Sequence, residues 1–189
     1  AAMSQATAVS RGRFVVLDGI DGCGKSTQAT RLARALGAEA LHLREPGSTA
    51  AGERIRALLL DPETALTPAA QALLFAAARR QMLEELVAPA LAGGRDVVCE
   101  RFHPSTFAYQ GWALGVGEER VLALLESWAG TPAPDLTLIL DLEPERARAR
   151  RGTQDRFESA ARDFHERVAE GYRRYAARGA RVVLLDARG

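Results

Sequence analysis

Cysteine is nearly missing from this 189-residue chain. Cys23 and Cys99 are its only two, too few for a disulfide framework, and a reduced, cytoplasmic setting is the expectation. Long apolar runs are missing too. Although 47% of the residues are hydrophobic, no stretch approaches the roughly 20 apolar residues of a membrane helix, so no membrane association is expected. The first twelve residues lack the apolar core of a secretion signal. Nor is there an excess of charge: 25 Lys plus Arg against 24 Asp plus Glu leave a formal net charge of +1. No global field then argues for nucleic acid, and anion affinity must come from local clusters. The length suits one well-filled core, expected as a single domain over residues 13–189, after a disordered tail over residues 1–12.

What is present is an alternation of short strands and longer helices, without internal repeats. Runs rich in β-branched residues and leucine occupy 14–18 (FVVLD), 97–100 (VVCE), 136–141 (LTLILD) and 181–186 (RVVLLD), with a weaker run at 41–44 (LHLR). Helical stretches are expected over 24–36, 50–60, 67–92, 105–114, 118–129, 143–151 and 158–178, with Pro62, Pro68, Pro132, Pro134 and Gly93-Gly94 as breaks. Continuous apolar character in the strands means cover on both faces, and strand–helix alternation means parallel pairing. A doubly wound α/β sheet follows. Ligands in such sheets sit beyond the carboxyl ends of the strands, and there the chain places a glycine-rich loop, Arg44-Glu45-Pro46-Gly47, Glu100-Arg101, and Glu143 with an arginine-rich segment.

The glycine-rich loop is the most specific signal. Gly19-Ile20-Asp21-Gly22-Cys23-Gly24-Lys25-Ser26 fits GxxxxGK(S/T) between an apolar strand and a helix, the phosphate-binding loop of nucleoside triphosphate enzymes. Its glycines let consecutive amides turn inward toward phosphate oxygens, at the positive end of the following helix. Lys25 reaches the β and γ phosphates, Ser26 offers a hydroxyl to the accompanying magnesium ion, and Thr27 leads into the helix.

Other clusters allow two readings each. Glu100 with Arg101 suits a magnesium-holding carboxylate beside a phosphate-gripping arginine, or a strand-end ion pair. Arg146, Arg148, Arg150, Arg151 and Arg156 suit a mobile lid, over about residues 146–158, that neutralises a transferring phosphoryl group, or a solvated face paired with Glu143 and Glu145. Phe75 and Arg79 share a helix face, able to stack on and hydrogen-bond a base, or to be a core phenylalanine beside a surface arginine. Ser105, Thr106, Tyr109 and Gln110 suit a sugar and base, though Ser105 also reads as a helix cap. Cys23 is either a thiol activated by the helix N-terminus, protectable by ATP, or a small buried spacer; Cys99 reads as inert packing.

These segments together resemble thymidylate kinase, over nearly the whole chain: DGIDGCGKST at the loop, REPGST at 44–49, LFAAAR at 74–79, ERFHPSTFAYQG at 100–111, PDLTLILDLEPE at 134–145 and RRGTQDRFE at 150–158. The resemblance implies a three-layer P-loop NTPase fold with a five-stranded parallel sheet and a short arginine-rich lid. It also implies a homodimer that uses MgATP to phosphorylate dTMP to dTDP. Carried to this chain, it puts Asp21 near the acceptor's sugar and phosphate, Arg101 on that phosphate, Pro46 and Ser105 at the acceptor site, Phe75 under thymine and Arg79 on its O4. Thr106 then falls near N3 and Tyr109 against the sugar's 2′ position, with Gln110 among the acceptor-binding residues. Gly22 stands where other members carry arginine, as in the bacterial form, so a lid arginine supplies the charge: Arg151, with Arg150 and Arg156 as alternates. Glu100 replaces the usual aspartate, and Ser48 replaces a second glycine after Pro46. Rival readings are a phosphate-loop kinase for another small acceptor, and a guanine-nucleotide switch; the Asn-Lys-x-Asp sequence of the latter is absent.

Overall fold

The computed structural model describes residues 10–151 and 158–188, without the side chains of residues 151 and 158–161. Five strands, β1 (Phe14–Gly19), β2 (Leu41–Arg44), β3 (Val97–Glu100), β4 (Leu136–Asp141) and β5 (Val182–Asp186), form one parallel sheet in the order β2-β3-β1-β4-β5. All five stand where the apolar runs placed them. The side chains alternate between two helical layers. Phe14, Val16, Val97 and Cys99 pack with Met82, Leu83, Val87 and Leu91 on one face, while Leu17 and Val98 meet Ala29 and Ala33 on the other. Full burial of each such large side chain contributes about 1.5–3 kcal/mol.

Helix α1 (Lys25–Leu36) follows β1 directly, and α2 (Ala50–Leu60) is capped by Thr49, whose hydroxyl accepts from Gly52 N–H at 2.9 Å. The single helix expected over 67–92 is segmented: α3 (Pro68–Met82), a π-helical turn over Leu83–Val87, and α4 (Ala88–Ala92). Pro89 explains it, because its ring lacks an N–H and would strike the carbonyl one turn back; the wider turn, with Ala88 N–H reaching Leu83 O, passes that point. Helix α5 (His103–Thr106) continues as a second π-helical segment, Phe107–Ala113, with Pro104 in its first turn as expected. Helices α6 (Glu118–Ala129), α7 (Pro144–Arg151) and α8 (Glu158–Ala176) complete the layers. Gly171 lets α8 come close: a Cβ there would lie 2.8 Å from Ala108 Cα.

The expected tail over residues 1–12 needs shortening. Residues 1–9 lie outside the described residues, but Arg11 forks onto Asp135 at 2.9 and 3.1 Å and Gly12 N–H donates to Leu91 O at 2.9 Å.

His103 lies buried, its ring stacked on Phe102 at 4.3 Å and its Nε2 2.9 Å from Ala129 O. Burial above all, and then the charge of Arg79, lower its pKa from 6.5 to about 3. Between these values the unfolded chain takes a proton that the folded chain refuses, so stability rises with pH there and is lost as pH falls below 6.5. The loss from this group should reach about 2 kcal/mol by pH 5. Urea titrations of His103→Gln should show a flatter dependence between pH 7 and 5; a slope equal to that of the parent excludes His103 as its source.

Candidate active site

At the carboxyl end of β1 the chain turns sharply through Gly19, Gly22 and Gly24, with φ of 138°, 87° and 99°, a region closed to most side chains. Gly24 gives α1 its start without any side-chain cap, so the first amides of that helix remain available to an anion. Lys25 is 7% exposed and folds back over the loop, its Nζ donating to Ile20 O at 3.1 Å and to Asp21 Oδ1 at 3.3 Å. The loop is thus a cradle of amides with one ammonium already inside it. Cys23 does not become an activated thiol here: it is buried, and burial pushes its pKa up despite Lys25. It is the small spacer under the loop.

Arg101, at the carboxyl end of β3, has φ of 68°, strained for a non-glycine residue and fixed by its N–H donating to Leu17 O at 2.9 Å. That bend turns the guanidinium back to the loop. Its Nη2 donates to Asp21 Oδ1 at 2.5 Å and Nη1 to Ser105 Oγ at 2.9 Å, with its carbon 5.8 Å from the Tyr109 ring centre. Burial opposes the charge of Arg101, yet Tyr172, Asp18, Tyr109 and Asp21 push its pKa above the ordinary value. For Asp21, burial also opposes ionisation, but Arg101 and Lys25 hold its carboxyl below the usual range. Asp21 stays an anion between two cations.

Asp18, with no exposure, organises this corner. Its Oδ1 accepts from Gly19 N–H, Ser105 Oγ and Tyr172 OH at 2.8, 2.7 and 2.9 Å, and its Oδ2 from Phe102 and Ser105 N–H at 2.9 and 3.1 Å. Ser105 therefore is not the cap of α5; Asp18, on the neighbouring strand β1, caps it, and the Ser105 hydroxyl is shared with Asp18, Tyr172 and Arg101.

Glu100 lies opposite the loop. Its Oε2 accepts from Ser26 Oγ at 2.5 Å and its Oε1 lies 2.8 Å from His42 Nε2. A hydroxyl and a carboxylate in contact are hard oxygen donors, of the kind that hold magnesium together with phosphates and water. Among the described residues no cluster of three His, Cys, Asp or Glu makes an all-protein metal cage.

On the far side, the expected pairing of a core phenylalanine with a surface arginine is inverted. Phe75 is only half-buried while Arg79 is 1% exposed, because Glu45 is buried with it. Glu45 Oε2 lies 2.6 Å from both Nε and Nη2 of Arg79, and Nη2 also donates to Thr106 Oγ1 at 3.2 Å. Burial raises the pKa of Glu45, and the charge of Arg79 with its hydrogen bonds works against that rise. Arg79 Nη1 and Glu45 Oε1 are left buried without a protein partner, an arrangement that calls for a ligand or water. Pro46 lies beside Glu45, buried, with its carbonyl accepting from Arg56 at 3.1 Å. Tyr109 packs against Tyr172 and Phe164. Gln110 is turned to Gln71 at 3.1 Å, supporting α3 from the neighbouring helix.

A cleft of about 500 Å³ is lined by Lys25, Ser26, Glu45, Arg56, Glu100 and Arg101 among others. A second groove, of about 830 Å³, runs from Gly24 and Thr27 over Arg31 to Asp186 and Ala187. Arg150 lines both and donates to Ala187 O at 2.9 Å. In the expected lid, Arg146 instead pairs with Glu143 at 3.3 Å on an exposed face, Arg151 ends α7, and Arg156 lies outside the described residues. Ser48 resolves the missing glycine. It takes φ of 67°, its hydroxyl bridges Arg44 N–H and C=O at 2.9 and 3.0 Å, and its own N–H donates to Glu53 at 3.0 Å.

Asp18, Tyr172, Arg56, His42 and the clamping part of Glu45 are absent from the sequence-based list of candidates. An aspartate closing an otherwise apolar strand was the one available signal, for Asp18 alone.

The model of the family described as thymidylate kinase matches residues 17–189. The thymidylate kinase of Alkalilimnicola ehrlichii is 48% identical, over 95% of this chain and 87% of its own length. That of Chromobacterium violaceum is 49% identical, over 95% and 88%. The crystal structure of thymidylate kinase from Ehrlichia chaffeensis superposes with a TM-score of 0.78 at 29% identity, over 93% of each chain. With a family model over most of its length and relatives at nearly half identity, this chain belongs to the thymidylate kinase family.

Proposed function

We propose that the chain transfers the γ-phosphoryl group of MgATP in line to a phosphate oxygen of dTMP, giving dTDP and ADP. One observation carries the reading: a single cleft is lined by the phosphate loop with Lys25, by Arg101 braced by Asp21, and by Glu45, whose carboxylate pairs with the buried Arg79 and its unused donor. The acceptor phosphate is already ionised, so catalysis needs no strong general base. Positioning and charge neutralisation suffice. In this reading Gly19 to Thr27 hold the triphosphate, Lys25 and Arg151 meet the moving group, and Arg101 with Asp21 holds the acceptor phosphate. Phe75 stacks on the base, Arg79 and Thr106 bond its edge, Gln110 supports that wall, and Tyr109 with Ser105 and Pro46 lines the sugar side. Ser26 and Glu100 would hold magnesium, which supplies charge neutralisation on the phosphates when bound.

Leu60, Leu73 and Trp128, on α2, α3 and α6, are 64%, 58% and 67% exposed, and α3 packs against both neighbours. A homodimer through this face covers them; sedimentation equilibrium decides it. No helix of the described residues is long and apolar enough to cross a membrane; the cytoplasm is proposed as the place of the reaction.

The test is a coupled ADP-release assay across dTMP, dUMP, UMP, CMP and AMP. dTMP should be the preferred acceptor, with dUMP weaker for want of the methyl group and AMP inactive. Equal rates with AMP and dTMP, or ADP release independent of any acceptor, overturn the reading.

A further inference from the structure

Arg79 is almost wholly constrained. Its Nε and Nη2 both meet one oxygen of Glu45 at 2.6 Å, Nη2 also serves Thr106, and its carbon lies 4.9 Å from the centre of the Phe102 ring. One donor group, Nη1, is left without a partner although buried. A guanidinium carries five N–H groups and no acceptor, and it does not lose its proton. Whatever meets Nη1 must accept. The charge that makes this burial tolerable comes from Glu45, itself 4% exposed, since an arginine buried without a counter-ion costs several kcal/mol.

We infer that Glu45 is a positioning residue for acceptor choice: by holding Nε and Nη2 it presents Nη1 alone to the base, so that a ring carbonyl is taken and a ring amino group refused. This rests on the proposed function. The geometry leaves little room for another role. Glu45 stands at the start of the turn after β2, its N–H tied to Glu100 O at 2.8 Å, and the next carbonyl is held by Arg56, so the backbone that carries the carboxylate is fixed from β3 and from α2. From the cleft lining the carboxylate reaches Arg79 on α3. Without that contact the guanidinium regains rotation about its last bonds, and Nε or Nη2 competes with Nη1 for the ligand. With thymine-type bases the fixed donor meets O4. With a cytosine-type base it meets an amino group, two donors face each other, and a buried donor is left unpaired, the situation that gives hydrogen-bonding sites their largest discrimination.

The experiment compares the parent, Glu45→Gln and Glu45→Asp in steady-state assays with ATP and either dTMP or dCMP, with thermal unfolding of each. Glu45→Gln should raise KM for dTMP at least about tenfold, change kcat much less, leave KM for ATP near the parental value, and lower the dTMP-to-dCMP preference in kcat/KM by about tenfold. Glu45→Asp keeps the charge but withdraws the oxygen from Nε and should lie between the two, which keeps the question answerable should the glutamine variant fail to fold. A merely structural role lowers both acceptors in parallel, because fewer molecules are folded. Parental preference between the two nucleotides in either folded variant overturns the inference. If the parent itself ignores dTMP, the failure belongs to the proposed function instead.

Discussion

Lys25→Ala should lower kcat by about a thousandfold, about 4 kcal/mol of transition-state stabilisation, while the dissociation constant for dTMP moves less than about threefold. The asymmetry follows from where the ammonium sits. Its Nζ is inside the phosphate-binding loop, 3.1 Å from a main-chain carbonyl and 3.3 Å from Asp21, so in the proposed reaction it meets the transferring phosphate rather than the base. Lys25 is also the chain's only lysine. The other cations lining the cleft are arginines that already have partners: Arg44 faces Glu53, Arg56 the carbonyl of Pro46, Arg101 the loop's own Asp21 and Arg150 the carbonyl of Ala187. None of these four offers the compact ammonium that the loop encloses, so none should replace it. Lys25→Arg should fare little better, because a planar fork does not fit a turn shaped around a compact charge. Rates are read by ADP release and dTMP affinity by calorimetry. A kcat within tenfold of the parent, at saturating ATP, would remove Lys25 from the chemistry.

The fold was legible in the sequence to the degree that local pattern dictates it. Runs such as FVVLD and LTLILD are apolar at every position because both sheet faces are covered, and all five became strands of one parallel sheet. The phosphate loop was equally legible, since glycines with positive φ leave a local signature. Legibility ended where the determining contact is distant. The spacing of Phe75 and Arg79 correctly places them on one helix face but says nothing about which is buried; Glu45, 34 residues away, reverses the ordinary outcome. Ser105 looks like a cap in one dimension, and only the fold reveals that a carboxylate 87 residues earlier fills that place. The nearby helix end left Cys23 with two readings, an activated thiol or a buried spacer; a dipole acts usefully only on a group left in reach of solvent, and this residue is 2% exposed, so the spacer holds. Pro89 was passed over in the single helix expected across 67–92, although its missing N–H interrupts the ladder; a widened turn carries the helix past it.

Asp18→Asn should be the most destabilising single change in the active-site region, by about 3–5 kcal/mol, or about 10 °C in Tm for a chain of this size. The substitution is nearly isosteric, so neither cavity nor strain contributes. What changes is the number of acceptors. The carboxylate takes bonds from Gly19 N–H, Phe102 N–H, Ser105 N–H, Ser105 Oγ and Tyr172 OH. An amide nitrogen in place of either oxygen sets a donor against at least two of these donors, in a site without solvent exposure. The hydroxyls of Ser105 and Tyr172 can rotate to accept instead, but the three main-chain N–H groups cannot. Orienting the amide to spare Phe102 and Ser105 N–H therefore turns it against Gly19, the first residue of the phosphate loop. Either way a catalytic element is disturbed, because these donors belong to the loop, to the start of α5 behind Arg101, and to α8 through Tyr172. Tyr172→Phe removes only one donor and should cost about 1 kcal/mol, with Asp18 keeping its other partners. Chemical denaturation of both variants measures the contrast. Equal losses would mean that Asp18 is simply a buried polar residue, and that the loop and Arg101 are held in register by something else.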